Sequence, residues 1–125
     1  MSTNLWPDFK LAPDTKSPKS IVEGLSEGLD EKTNGLVRFE SNRSIKNQKV
    51  QVTFSFYAPR LGYGFPFLKI TFPIDKFYPV TIDAEQMETT VAQDENELVH
   101  AIANLYKAPS TIAIVERLMS LANNL

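Results

Sequence analysis

The sequence predicts a single α+β domain spanning residues 1–125: one N-terminal helix, an antiparallel β-meander of four or five strands, then two C-terminal helices packed on one sheet face. Three features point to it. Apolar residues recur with helical spacing near the start of the chain and again over its last thirty or so positions. Between these stretches, residues 50–57 alternate apolar and polar with a period of two, the pattern of a half-buried antiparallel strand. The segments that join the predicted strands are short, which suits a meander better than any parallel crossover. A length of 125 residues lies in the usual range for one domain with one core.

Residues 1–16 read as an irregular arm, because Pro7 and Pro13 interrupt any helix. Leu5, Trp6, Phe9 and Leu11 give the arm enough apolar surface to dock, either over an edge of its own core or as an exchanged arm in a dimer. Ser17-Pro18 then starts a helix, with a hydroxyl cap and proline at the first helical position. Ile21, Leu25 and Leu29 repeat every four residues, so the helix is expected to run to about Lys32. Asn34-Gly35 ends it, glycine suiting the left-handed cap. Gly24 and Gly28 share a face of that helix and predict the close approach of another element.

The strands are expected at 36–41, 50–57, 67–72 and 80–83, with a short fifth at 88–92. Val50, Val52, Phe54 and Phe56 should point to the core, and so should Leu68, Ile70 and Phe72. Pro59, Gly62-Tyr63-Gly64, Pro73 and Pro79 punctuate the turns. Asp94 with Glu97 forms a capping box for the next helix, whose inner side holds Leu98, Val99, Ala101, Ile102, Leu105 and Tyr106. Pro109 is expected to break that helix and Ser110 to cap the last one. The apolar side chains of the last helix, from Ile112 to Leu125, cover about half of its circumference, wider than the stripe of an ordinary surface helix. That width predicts contact with two surfaces, or a homodimer through the last helix.

Composition excludes several chemistries. With no cysteine there is no disulfide, thiolate metal site or cysteine nucleophile, and the chain fits a reducing cytoplasm. Its start lacks the basic and apolar pattern of a secretory signal, and no apolar run reaches the length of a membrane span. A net charge of −2 and pI of about 5.4 argue against nucleic acid as partner. His100 is the sole histidine and falls on the polar side of its helix, so neither a histidine metal cage nor a serine triad is expected. Neither a phosphate-binding GxxxxGK[ST] nor a GxGxxG occurs. The acidic stretch Asp83 to Glu97 holds six carboxylates without a Lys or Arg, but lacks the spacing of a calcium loop. The stretch 38–49 holds Arg38, Arg43, Lys46 and Lys49 against Glu40. Both read as solvated loops, or as docking surfaces of opposite sign. No catalytic residue, metal ligand or cofactor is assigned.

The candidate binding surface is aromatic. Tyr57, Tyr63, Phe67, Phe77 and Tyr78 lie at or beside the turns joining the second, third and fourth strands, with Phe65 among them and Arg60, Lys69 and Lys76 nearby. Gathered at one end of the sheet, they would make a recognition patch centred on Tyr57, Arg60, Tyr63, Phe67, Phe77 and Tyr78. The alternative is that they cover the open face of the sheet.

Ser55-Phe56-Tyr57-Ala58-Pro59, followed by Phe72-Pro73-Ile74 and Tyr78-Pro79-Val80-Thr81-Ile82, resembles a family of small uncharacterised bacterial proteins with an SFY…AP…PI…YPVTI pattern. That resemblance covers about a third of the chain and implies no activity. Phe72-Pro73 with Tyr78-Pro79 is also similar to the FPxxYP turn of the ubiquitin-conjugating and RWD-type fold, though two residues longer. It implies an α–meander–α architecture serving as an interaction module, since conjugation needs the cysteine this chain lacks. The expected function is a non-catalytic protein-binding module, of a toxin-neutralising or adaptor kind. Two alternatives stand beside it: a small-molecule binding protein or enzyme with a pocket between sheet and helices lined by Tyr57, Arg60 and Asp75, and a structural homo-oligomer.

Overall fold

The structure, a computed structural model, describes residues 5–10, 16–85 and 87–125. A short helix α1 (Pro18–Leu25) and a single turn α2 (Leu29–Lys32) precede five strands, β1 (Arg38–Lys46), β2 (Lys49–Ala58), β3 (Tyr63–Pro73), β4 (Val80–Ala84) and β5 (Met87–Ala92). Helices α3 (Glu95–Lys107) and α4 (Pro109–Asn124) close the chain. The strands form one sheet in the order β1-β2-β3-β4-β5, every neighbouring pair antiparallel, so the predicted α+β meander is the observed one.

Val52 pairs with Ile70 and Phe54 with Leu68, and all four are buried, as the alternation predicted. A bulge at Phe54/Ser55 adds one residue to β3 there, which lets consecutive Phe67 and Leu68 both enter the core. These side chains join Val22, Val37, Val80, Ile82, Leu98, Ile102 and Leu118 in one cluster, which places α1, α3 and α4 on one side of the sheet. The opposite side carries the half-exposed Gln51, Thr53, Ser55, Tyr57, Thr71 and Thr81.

Five expectations need correction. The helix expected to reach Lys32 stops at Leu25. Ser26 Oγ donates to the Glu23 carbonyl at 2.8 Å, and Gly28 takes φ +94°, a left-handed conformation that no helix interior accepts. A β-carbon built on Gly24 or Gly28 would meet nothing within 4 Å, so neither glycine marks a close approach. Strand β1 runs to Lys46 rather than Ser41 and turns into β2 through Asn47 and Gln48, both at positive φ as a two-residue hairpin turn requires. Thus the basic stretch 38–49 is an exposed edge hairpin, not a loop. Fourth, Pro109 breaks the helix as expected, α3 ending at Lys107 with Ala108 extended before the proline, but the cap residue of α4 is Ala108 rather than Ser110, and Pro109 takes the first helical position. Fifth, Leu5, Trp6 and Phe9 are 88 %, 75 % and 75 % exposed, so this part of the arm covers no core edge. Leu11 lies outside the described residues.

Thr33 ties the helical segment to the sheet. Its hydroxyl accepts from Val37 N–H at 3.1 Å, and its one proton lies within reach of the Leu29 and Val37 carbonyls at 2.9 and 3.0 Å. At α3, Asp94 Oδ1 accepts from Glu97 N–H while Glu97 Oε1 accepts from Gln93 N–H. The carboxylate reaches one residue further back than the usual capping box does. Among the described residues no single helix is long and apolar enough to cross a membrane.

Candidate functional site

The aromatic residues singled out in the sequence do not gather. Ala58 pairs with Tyr63 and Tyr57 with Gly64, so Tyr57, Arg60 and Tyr63 share the turn end of the β2–β3 hairpin. The Tyr57 ring lies over Gly64, where a β-carbon would sit 3.7 Å from Tyr57 Cδ2. Phe77 and Tyr78 follow the far end of β3, roughly 30 Å away along the strand. There Phe77 packs edge-on against core residue Phe72, with ring centroids 6.1 Å apart. The Tyr78 hydroxyl is buried without a partner; burial first, then Glu95 and Asp94, push its pKa upward. Phe67 belongs to the core, stacked on Phe56 with centroids 3.9 Å apart. Asp75 is exposed beyond β3, so Tyr57, Arg60 and Asp75 cannot line one pocket.

A pocket between sheet and helices does exist, in another place. It is a groove of about 350 Å³ bounded by the α1–α2 turn, β1, β2, the end of α3 and the start of α4. Its floor is aromatic. Phe39 of β1 packs edge-on with Phe56 at 6.3 Å and with Tyr106 at 6.1 Å between centroids. Its walls are Leu25 and Leu29 on one side, Ile112 and Val115 on the other. Ile112 is 46 % exposed and Leu25 borders the mouth opposite it.

Two hydroxyls meet this apolar lining. The Thr111 side chain lines the groove and is buried, yet its Oγ1 has no hydrogen-bond partner. Tyr106 donates a long hydrogen bond, 3.4 Å, to the Val22 carbonyl. Burial raises the Tyr106 pKa far above the ordinary tyrosine range, with the Ser26 hydroxyl acting the other way. The phenol is therefore neutral at any physiological pH and serves as a hydrogen-bonding group rather than an acid or base. At the rim, Glu27, Glu116 and Lys32 supply charge. A second, polar depression adjoins across the α1–α2 turn, with Glu23, Asp30 and Arg38 around it.

The arrangement can bind but offers no paired nucleophile and base. Among the described residues no group of three or more His, Cys, Asp or Glu side chains could hold a metal ion. Sequence reasoning did not single out Phe39, Tyr106 and Thr111 as site residues. The available signal was the over-wide apolar stripe of the last helix, in which Ile112 is a groove wall and Val115 both lines the groove and packs against the core. Elsewhere on the stripe Ile114 and Met119 pack against the core, Leu121 is half-buried and Leu125 is exposed. Comparison of the chain with protein-family models, curated proteins and solved structures finds no match.

Proposed function

We propose that this chain is a non-catalytic protein-binding module whose working site is the groove between the α1–α2 turn and α4. The carrying observation is the groove's make-up: an aromatic floor open to solvent, flanked by Leu25 and Ile112, with the Thr111 hydroxyl buried and unsatisfied beside it. A buried hydroxyl without a partner costs about 1–3 kcal/mol, which a hydrogen-bonding group in the groove recovers once the Thr111 side chain turns to meet it. An apolar cleft with a few polar groups is the usual form of a binding site. The occupant expected from this chemistry is an aromatic side chain with its peptide amide, carried by another polypeptide. Adaptors and toxin-neutralising proteins both work by such docking and need no chemistry of their own. The lack of cysteine fits a cytoplasmic setting for it.

N-acetyltryptophanamide is a direct probe. Added to isotopically labelled protein, it should shift amide resonances of Tyr106, Thr111, Ile112 and Val115, and Ile112→Asp should abolish the shifts while keeping the fold. Shifts confined to Tyr57 and Tyr63 would move the site to the β2–β3 turn and overturn the reading. The unpartnered Thr111 hydroxyl also favours a second reading, a small apolar ligand with one polar group. Under it, Thr111→Val weakens binding of phenol about tenfold and leaves benzene unaffected.

A further inference from the structure

We propose that the outer edge of β1 is a second docking surface, one that takes an acidic, extended segment of another polypeptide as a sixth, antiparallel strand. This surface is separate from the groove. β1 ends the sheet, so β2 is its one strand neighbour. The hairpin turns through Asn47 and Gln48, with Lys46 opposite Lys49. In a two-residue hairpin the pair flanking the turn is hydrogen-bonded, and bonded and non-bonded pairs alternate from there. Asn42 and Ser44 therefore bond to β2, whereas Ser41, Arg43 and Ile45 turn their N–H and C=O groups outward. α2 lies against the start of β1, where Asp30 faces Arg38, and Ser41 to Lys46 beyond it are all exposed. Among the described residues nothing hydrogen-bonds the outward groups of Ser41, Arg43 and Ile45. The other end of the sheet differs: β5 has six residues, meets β4 across a register shift and packs against α3.

Charge names the occupant. Residues 41–49 carry Arg43, Lys46 and Lys49 and no acid, and among the described residues none of the three is in an ion pair. Glu40 lies toward the other end of the strand; Asp75 and Lys76, past the end of β3 and two strands in from the edge, offset each other. The cations stand on both faces. Arg43 pairs with buried Val52 and so projects on the helix side, while Lys46 and Lys49 project on the open side. Ile45, 53 % exposed, shares the helix side with Val50 and Phe72, its neighbours in the same row. An antiparallel strand laid on β1 thus meets Lys46, Ile45, Ser44 and Arg43 in turn, and the matching order is acidic, apolar, polar, acidic. Opposite charges across a strand pair stabilise it and like charges oppose it, so the edge accepts such a strand and rejects a second β1. Edge cations also deter neutral strands. Nucleic acid fits less well, because a phosphodiester chain has no donors spaced for the outward carbonyls and residues 41–49 offer no aromatic ring for base stacking.

The probe is the peptide acetyl-Glu-Val-Thr-Glu-Thr-Val-amide, titrated into isotopically labelled protein. It should shift the amide resonances of Ser41, Arg43 and Ile45 more than those of Asn42 and Ser44, because only the first three gain hydrogen bonds. N-methylation reads the main-chain pairing. Methyl groups on the nitrogens of the second and fourth peptide residues, which face Ile45 and Arg43, should abolish the shifts. On the third and fifth nitrogens, which point away from β1, they should leave the shifts in place. Exchange of charge reads the side chains. The double variant Arg43→Glu, Lys46→Glu alters two exposed residues outside any ion pair, so it should stay folded. It should bind the acidic peptide about tenfold more weakly and take acetyl-Lys-Val-Thr-Lys-Thr-Val-amide in its place.

Four results would overturn the proposal. No shift at millimolar acidic peptide leaves the edge unoccupied. Equal shifts from the two N-methylated peptides mean attraction between charges without a strand. A short oligothymidylate that moves the same amides at physiological salt and displaces the peptide makes the edge a nucleic-acid surface. Resonances of residues 41–45 that move with protein concentration alone assign the edge to another copy of the chain. N-acetyltryptophanamide in the groove should still shift Thr111 and Tyr106 in the Arg43→Glu, Lys46→Glu variant, so the two sites stand or fall separately.

Discussion

Thr33 gives the sharpest test of how the helical segment is held to the sheet. Replacing it with valine keeps the shape and removes one oxygen. Val37 is fully buried, and its N–H donates to Thr33 Oγ1 at 3.1 Å while its carbonyl lies 3.0 Å from the same oxygen. Strand pairing begins one residue later, at Arg38, so the ladder does not take over these groups. In Thr33→Val the N–H loses its acceptor and the carbonyl its donor. At about 1–3 kcal/mol for each orphaned group, with some relaxation, the expected loss is about 2–4 kcal/mol. Thr33→Ser keeps the hydroxyl and loses one methyl, for about 1 kcal/mol. Urea denaturation of the three proteins gives the comparison directly, because the slope with denaturant should not change. A loss below about 0.5 kcal/mol in Thr33→Val, or a larger loss in Thr33→Ser, would refute the account.

Other outcomes follow from the same structure. Phe54→Ala, in the fully buried centre of β2, should lower stability by about 3–5 kcal/mol in the same assay. Gly28→Ala should cost about 1–2 kcal/mol although a β-carbon there touches nothing, because the cost is conformational at φ +94°; no change would mean the turn relaxes freely. Burial holds Tyr106 protonated in the folded chain, so its contribution is present below the ordinary tyrosine pKa and is lost as pH climbs toward the raised one. Stability should fall above about pH 10 by up to 1.4 kcal/mol per pH unit for that proton. The fall should be shallower in Tyr106→Phe, and equal slopes in the two proteins would exclude Tyr106 as its source.

The sequence was legible where burial imposes a period or a cap imposes a residue type. The alternation of Val50 to Tyr57 could be read because each second side chain meets the helices. Asp94 could be read because an extended residue with a carboxylate is the standard partner of free helix amides. The outer half of β1 was illegible for the opposite reason. Ser41 to Lys46 are all exposed, held by backbone bonds to β2, and their one apolar residue, Ile45, sets no period. Its turn uses Asn47-Gln48 without a glycine. The aromatic residues are close to the turns in sequence but far apart in space, because β3 is long. The eleven-residue β3 holds Tyr63 and Phe77 at opposite ends of the sheet, while the bulge turned Phe67 inward.

The groove and the misread helix have one cause. An unbroken helix through Lys32 would stack Ile21, Leu25 and Leu29 along one face, at the spacing that made the prediction. Ending α1 at Leu25 and turning at Gly28 separates the two leucines, so that Leu29 still packs against the core while Leu25 borders the groove with it. The result leaves Leu25 37 % exposed and spends the helix-forming capacity of the segment. Nothing packs on Gly28, and the φ +94° turn is stabilised by no side-chain cap. A break that exposes a leucine without improving the core contributes to stability only when the opened surface is covered. The feature least favourable to the isolated fold is thus the one that shapes the groove.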